Sequence, residues 1–242
     1  MIGTSLSYRN LLNTEDPLLS ADVILPKLWE RGVRSIELRA VPIGGAPEDA
    51  LRVANILWDY GFQITVHSSC KTLANAVSEV FDPLRALLGQ MRQRELIITI
   101  HPIAGDNVGM LTSLSDHIIE KGYPVRIALE NNRKMPDKTE GDSAALVLDA
   151  VKRVNRENVG ICFDMGHYAW YAAKFTDSPN TLPPKEFLSR VIHTHMHAYA
   201  EGNTHFHIGE WCEPISLWAW VSSMQSSPPR YSRTREGDSA RR

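Results

Sequence analysis

Short apolar stretches rich in Val, Ile and Leu alternate along the chain with longer stretches whose apolar residues recur every three to four positions. The short stretches have strand length, and most of them are almost continuously apolar, which is typical of strands buried on both faces of a sheet. They lie at residues 2–6, 35–40, 63–69, 96–102, 125–131, 159–167 and 191–199. This pattern predicts seven β-strands in a parallel α/β sheet.

The longer stretches predict the helices between these strands. Pro47 and the two acidic residues after it suit the first turn of a helix, and Gly32, Gly61 and Gly122 each follow a predicted helix end. The predicted helices span residues 21–31, 47–60, 73–94 with a break near Pro83, 107–121, 143–155, 185–190 after Pro183-Pro184, and 214–224. Strand–helix units of about 30 residues in regular succession predict a single α/β domain.

The number of units predicts a (β/α)₈ TIM barrel that lacks a normal eighth strand at its C-terminus. The length of 242 residues suits a whole barrel. The pattern ends near residue 221, however, and residues 222–242 hold six Ser and five Arg, no Leu, Ile, Val or Phe, and a net charge of +3. We therefore expect a barrel domain at 1–221 and a disordered or aberrant tail at 222–242.

A barrel of seven strands would expose two strand edges. Two interpretations of the predicted gap follow. The chain is either a C-terminally altered or frameshifted product, which the composition of the tail favours, or a gapped barrel that a partner closes. Verification of the coding sequence with mass spectrometry distinguishes them, because an intact gene matching residues 222–242 contradicts the frameshift.

Charge and cysteine content exclude several classes of protein. A formal net charge of −2 argues against binding of nucleic acid through bulk charge, so no nucleic-acid partner is expected. Cysteines 70, 162 and 212 form no CxxC pair, which predicts a reducing, cytoplasmic compartment and no disulfide framework. No apolar stretch approaches the about 18 residues that span a bilayer. Residues 1–10 lack the layout of a signal peptide. A homo-oligomer is left open.

Polar residues are concentrated where the predicted strands end, which is the edge where parallel α/β folds carry their functional groups. Six of the nine histidines fall within residues 167–207. The strand-end residues are Glu37, Arg39, His67, His101, Glu130, Asn131, Asn132, Asp164, His167, His193, His195 and His197, and His205, His207 and Glu210 follow in a loop. Carboxylates and imidazoles together supply mixed oxygen and nitrogen ligands, and without a cation the carboxylates would repel one another. The pattern predicts a divalent metal site.

Each strand-end residue also has a structural interpretation. His67 and His101 could be ordinary core or surface histidines, and Glu37 could pair with Arg39. The carboxylates that end strands five and six could be helix caps or ion-pair partners. Histidines 193, 195 and 197 alternate on one face of the predicted seventh strand. Burying three imidazoles in an apolar core would be costly, which favours a metal-binding mouth.

Other residues are expected to be structural. His117 lies inside a predicted helix and is expected in a structural or surface role. Cys70 and Cys162 are expected to be buried small residues, because no partner lies at ligand spacing in the sequence. Trp58, Trp218 and Trp220 are expected in the core. Trp170 and Trp211 follow the candidate ligands and are expected to line a pocket.

The segment Gly160-Ile-Cys-Phe-Asp164-Met-Gly-His167 resembles the strand-six DxGH signature of the xylose isomerase-like TIM-barrel superfamily. This superfamily includes sugar and sugar-phosphate isomerases and epimerases, inosose-processing enzymes, and the type IV apurinic endonucleases of AP endonuclease family 2. Four further stretches agree in the same order, at residues 101–102, 127–131, 191–195 and 203–210. The resemblance covers residues 1 to about 221 and implies a TIM barrel.

Similarity to the isomerase and epimerase branch implies one divalent ion, whether Mn, Mg, Co or Zn, held by Glu130, Asp164 and His195. The strand-eight Glu that completes the ligand set of this branch has no counterpart, which predicts impaired activity. The implied reaction moves the proton next to a carbonyl of a small carbohydrate, with Glu130 and His167 as the catalytic candidates. The remaining substrate-binding candidates are His67, His101, Asn131, Trp170, His197 and His205.

Similarity to the endonuclease branch implies three zinc ions and cleavage of a phosphodiester by an activated water. The ligands would be His67, His101, Glu130, Asp164, His167, His195, Asn203 and His205. Position 203 is an Asp in that branch, so Asn203 and the net charge of −2 both disfavour this interpretation. A third interpretation is a non-catalytic barrel that binds a sugar or a metal. We therefore expect a metal-dependent sugar or sugar-phosphate isomerase or epimerase in carbohydrate metabolism.

Overall fold

A computed structural model of the protein describes residues 3–7, 11, 20–39, 41–176, 181–200 and 203–206, with the backbone alone for 198–200 and 203–206. The chain divides into one unit at Met1–His207, which contains all of these residues, and a second at Ile208–Arg242. The predicted helix at 214–224, the domain boundary at 221 and the tail at 222–242 lie outside the described residues. No helix in the described ranges is both long enough and apolar enough to cross a membrane.

Seven parallel strands form one sheet in the order in which they occur along the chain. They are β1 (Gly3–Ser7), β2 (Ser35–Arg39), β3 (Gln63–His67), β4 (Leu96–Ile100), β5 (Val125–Glu130), β6 (Val159–Asp164) and β7 (Val191–His195). Every residue of β6 is buried, as is nearly all of β5. This burial explains why these two strands are almost continuously apolar, and all seven predicted strands are confirmed.

Helices follow the strands, and all of those in the described residues were predicted except the one directly after β6, at residues 165–175. They are α1 (Ala21–Glu30), α2 (Pro47–Asp59), α3 (Ala76–Phe81), α4 (Arg85–Gly89), α5 (Asn107–Lys121), α6 (Ser143–Val154), α7 (Met165–Phe175) and α8 (Lys185–Leu188). A short 3₁₀ turn at Asp82–Leu84 contains Pro83 and separates α3 from α4, which confirms the predicted break. Gly122 ends α5 in the left-handed conformation at φ 64°, where a residue without a Cβ is unstrained.

Two predicted strand ends are wrong. The sixth strand was expected to reach residue 167, but it stops at Asp164 and α7 begins at the next residue. The Asp164 side chain accepts a hydrogen bond from the backbone N–H of His167 and so caps this helix. The seventh strand was expected to reach residue 199 and stops at His195. Beyond it, β8 (Ala198–Ala200) pairs antiparallel with β9 (Asn203–Phe206).

The sheet is strongly curled. In a flat sheet, β2 and β7 would lie about 24 Å apart, because five steps of about 4.8 Å separate them. Nevertheless, the Glu37 carboxylate on β2 lies 2.7 Å from the imidazole of His195 on β7. The described residues thus form a curled, barrel-like sheet of seven strands with helices outside it, and they do not complete an eight-stranded barrel. The curl brings the strand ends together around a common mouth.

Candidate metal centre

Glu130, the last residue of β5, is the centre of the polar cluster and is only 2% exposed. Its Oε1 lies 2.8 Å from Nδ1 of His195. Its Oε2 lies 2.9 Å from Nε2 of His67 and 2.8 Å from Nε2 of His101. Burial alone would raise the pKa of the Glu130 carboxyl, but hydrogen bonds from the three histidines hold it well below its usual range. The carboxylate is therefore ionised and surrounded by imidazoles.

Asp164 ends the neighbouring strand and forms a second group of contacts. Its Oδ2 lies 3.4 Å from Nδ1 of His167 and 3.9 Å from Nδ1 of His195. Its Oδ1 lies 2.9 Å from Nε2 of His197. Burial lowers the pKa of His167, although Asp164 and Glu130 act in the opposite direction. His167 contacts the cluster from the first turn of α7, and His197 contacts it from beyond the end of β7.

Asn131 ties the two carboxylate-bearing strands together. Its side-chain N–H donates to the backbone carbonyl of Asp164 at 3.0 Å, and its side-chain oxygen Oδ1 accepts from the backbone N–H of Asp164 at 2.9 Å. The residue is buried. The structure therefore gives Asn131 a part in positioning Asp164, while its substrate contact stays a prediction.

His195 is held between two carboxylates. Nδ1 faces Glu130, and Nε2 lies 2.7 Å from Oε2 of Glu37. Burial alone would lower the pKa of His195, but interactions with Cys162, Glu130 and Glu37 raise it well above its usual range. Burial would raise the pKa of Glu37, but hydrogen bonds from His193 and His195 lower it to about 2. Without a metal, His195 is an imidazolium between two carboxylates.

Glu130, Asp164 and His195 offer three ligand atoms that all lie within 4.8 Å of one another. Neighbouring ligands around a divalent cation, with bonds of about 2.1 Å, are separated by roughly 3–3.5 Å. The measured separations of 2.8 and 3.9 Å between His195 Nδ1 and the two carboxylates bracket this range. Two buried carboxylates also need positive charge nearby. The residues present therefore fit a divalent metal ion.

Three further groups of possible ligands surround this one. They are His67 with His101 and Glu130, Asp164 with His167 and His197, and Cys162 with His193 and His195. The last group was missed, because Cys162 was expected to have no partner at ligand spacing. Cys162 is buried as predicted, and burial raises its pKa to about 12. Cys162 and Asp164 lie on one face of β6, and His193 and His195 lie on one face of β7, because side chains alternate along a strand. In the sheet, Cys162 pairs with His193 and Asp164 pairs with His195.

Glu37 is the other site residue whose role the sequence did not reveal. The alternative pairing with Arg39 is wrong, because Glu37 contacts His193 at 3.4 Å and His195 at 2.7 Å. The hydroxyl of Ser5 on β1 also donates to it at 3.3 Å. Arg39 is exposed at the end of β2. No sequence signal linked residue 37 to residue 195, because the contact depends on the curl of the sheet.

The remaining candidates are placed as follows. His117 lies in α5 with its ring 4.9 Å from that of Phe81, which supports the predicted structural role. Trp58 is buried in the core as predicted. Trp170 lies on α7, where the ammonium of Lys174 is 5.4 Å from its ring centroid. Only the backbone is described for Asn203 and His205, and His207, Glu210, Trp211, Cys212, Trp218 and Trp220 lie outside the described residues.

A cavity of about 280 Å³ lies beside the cluster. His101, whose side chain is 43% exposed, belongs to both the cavity and the cluster. The lining residues are His101, Pro102, Asn132, Arg133, Lys134, Met135, Pro136 and Lys138. The cavity therefore gives a small molecule access to the most exposed imidazole bound to Glu130.

Comparisons with known proteins give weak similarities. No protein-family model matches the chain, and no curated protein matches it. A structure of D-psicose 3-epimerase determined in the presence of D-fructose is 14% identical, with a TM-score of 0.46 over 93% of this chain and 97% of that one. A structure described as PhdJ bound to substrate intermediate is 10% identical, with a TM-score of 0.39 over 74% of this chain and 64% of that one. Neither similarity assigns a function to this chain.

Proposed function

We propose that the protein is a metal-dependent isomerase or epimerase of a small carbohydrate or its phosphate. One observation carries this proposal. The ligand atoms of Glu130, Asp164 and His195 converge within 4.8 Å at the ends of three neighbouring strands. A divalent ion bound there, whether Mn, Mg, Co or Zn, would polarise a carbonyl or hydroxyl oxygen of the substrate.

The histidines around this centre suit substrate binding and proton transfer. The ring of His167 lies 3.1 Å through Nδ1 from the carbonyl of Asn131, which makes Nδ1 the protonated nitrogen and Nε2 the basic one. Because burial lowers its pKa, His167 is a neutral imidazole near pH 7 and can take or return a proton at Nε2. His101 lies on the cavity side of Glu130, where it can hydrogen-bond to a substrate hydroxyl.

Glu130 has contacts that favour a ligand role over that of a general base. Both of its oxygens already contact imidazoles, and its lowered pKa makes it a weak base. The carboxylate expected from strand eight has no described counterpart. We therefore assign proton transfer to His167, with Glu130 holding the ion and orienting His67 and His101.

The experiment is solvent-deuterium exchange into carbohydrates, followed by NMR. The protein is stripped with a chelator, reloaded separately with each of the four metals, and incubated in D₂O with a panel of ketoses, aldoses and their phosphates. We expect exchange at the carbon next to the carbonyl that depends on metal and is lost in Glu130→Gln. Glu120→Gln, at an exposed position of α5, is the matched control. Metal binding without exchange on any substrate supports a non-catalytic barrel instead.

A zinc-dependent endonuclease for abasic sites is the second candidate, and one observation favours it. His67 and His101 both contact Oε2 of Glu130 and form an additional ligand group beside the first. Such groups offer room for more than one ion, as a multi-metal hydrolase requires. Three zinc ions per chain and salt-sensitive nicking of abasic DNA support this candidate, whereas a single ion per chain contradicts it.

A further inference from the structure

The two nitrogens of His195 face different carboxylates. Nδ1 is directed to Glu130 and Asp164, at 2.8 and 3.9 Å, where the metal ion would lie. Nε2 is directed away from these residues to Oε2 of Glu37, at 2.7 Å. When Nδ1 binds a metal, the ring keeps a single proton on Nε2, and Glu37 is the acceptor within hydrogen-bonding distance of it.

We propose that Glu37 is the positioning residue that makes His195 an Nδ1 metal ligand, an inference that rests on the metal site of the proposed function. A carboxylate acceptor at Nε2 favours the tautomer that carries its proton there and leaves the lone pair of Nδ1 for the ion. It also fixes the rotation of the ring and strengthens electron donation from Nδ1 to the ion. Glu37 acts on the metal through His195 and need not touch the substrate.

The surroundings of Glu37 favour this role. The side chain is 7% exposed, and its position is set by β2, which pairs with β1 and β3 on either side. The Ser5 hydroxyl donates to Oε1 at 3.3 Å, and Nε2 of His193 lies 3.4 Å from Oε2. With contacts from two other strands, the carboxylate has little freedom to turn away from His195. Rigid support of this kind is what a metal ligand requires.

The test is a metal titration of the full chain. The affinity of the stripped protein for Co²⁺ is measured by competition with a chelator in wild type, Glu37→Gln and Glu37→Ala, and the absorption spectrum of bound Co²⁺ is recorded for each. We expect Glu37→Ala to bind Co²⁺ roughly 10–100-fold more weakly, with a shifted spectrum. Glu37→Gln should retain part of the affinity, because its amide oxygen can still accept from Nε2–H.

Glu95→Gln is the matched control, since Glu95 is a partly exposed glutamate that pairs with Arg126 and has no contact with the cluster. Circular dichroism confirms that each variant is folded. If wild type binds no divalent ion, the proposed function and this inference both fail. If wild type binds Co²⁺ and Glu37→Ala matches it in affinity and spectrum, only the role of Glu37 is overturned.

Discussion

Two regions of the molecule use histidine in opposite ways. On α5, outside the sheet, His117 packs its ring against Phe81 at 4.9 Å and Tyr123 at 5.9 Å. Inside the curled sheet, His195 lies between the carboxylates of Glu37 and Glu130. Histidine is thus part of an aromatic cluster at position 117 and a candidate metal ligand at position 195. What separates the two roles is the set of carboxylates around the ring, which the sheet supplies and the helix does not.

The largest expected effect comes from removing each of these histidines in turn. His195→Ala should weaken divalent metal binding by more than about 100-fold, because a direct ligand contributes more than the roughly 10–100-fold of a supporting residue. His117→Ala should leave metal affinity unchanged and reduce stability by about 1 kcal/mol through lost ring packing. Isothermal titration and urea unfolding measure the two quantities. Equal metal affinities in both variants would remove the contrast between the regions.

Low pH should destabilise the cluster around Glu37 and His195 inside the curled sheet more than the aromatic cluster around His117. The pKa of Glu37 is about 2 in the folded protein against an ordinary 4.5, so its stabilisation is present above pH 4.5 and is lost as the pH falls towards 2. The raised pKa of His195 acts oppositely: its contribution is full below about 6.5 and declines as the pH rises through its folded value.

Metal-free protein should therefore be stabilised most by this pair between about pH 4.5 and 6.5. Urea unfolding from pH 7 to 3 should show a loss of at most about 2 kcal/mol from Glu37, since about 1.5 pH units of this range lie below pH 4.5 and each corresponds to about 1.4 kcal/mol. In Glu37→Gln the free energy of unfolding should fall less as the pH is lowered, whereas the exposed Glu120→Gln should behave like wild type. If the free energy of unfolding of Glu37→Gln falls at acidic pH as it does in wild type, the ion pairs that hold His195 are contradicted.

The affinity of the site at Glu130, Asp164 and His195 for a divalent metal should fall as the pH is lowered. Because a ligand must give up its proton to bind, and the pKa of His195 is raised, binding should release a proton from Nδ1. The apparent affinity should then fall about tenfold for each pH unit between pH 8 and 6. Titrations at several pH values, and in buffers of different ionisation enthalpy, measure the slope and the proton count. A flat profile would indicate that His195 is not a ligand.

The smallest effect concerns the cysteines. Burial raises the pKa of both thiols, to about 11 for Cys70 and about 12 for Cys162. Cys70 is partly accessible, whereas Cys162 is buried beside the histidines. Alkylation at neutral pH followed by peptide mapping should modify Cys70 slowly and Cys162 only after urea is added. Faster labelling of Cys162 would mean that the inner cluster opens readily to solvent.

Much of the fold was predictable because local patterns report local physics. Short stretches rich in Val, Ile and Leu predicted all seven strands, and the most apolar of them, such as β6, are covered on both faces. The ends were less predictable. His167 was assigned to a strand because the apolar stretch ran past Asp164, yet the Asp164 side chain caps α7 and ends β6. A helix cap is a side-chain contact, and periodicity does not detect it.

By itself, the sequence predicted seven parallel strands and placed Glu130, Asp164 and His195 near the ends of three of them, and parallel strands bring their carboxyl ends to one edge of the sheet. Only the tertiary structure decided which side chains touch. Glu37 and His195 are 158 positions apart and five strands apart, and their 2.7 Å contact exists because the sheet curls. The curl arises from strand twist and helix packing summed over the whole sheet, so no single segment encodes it.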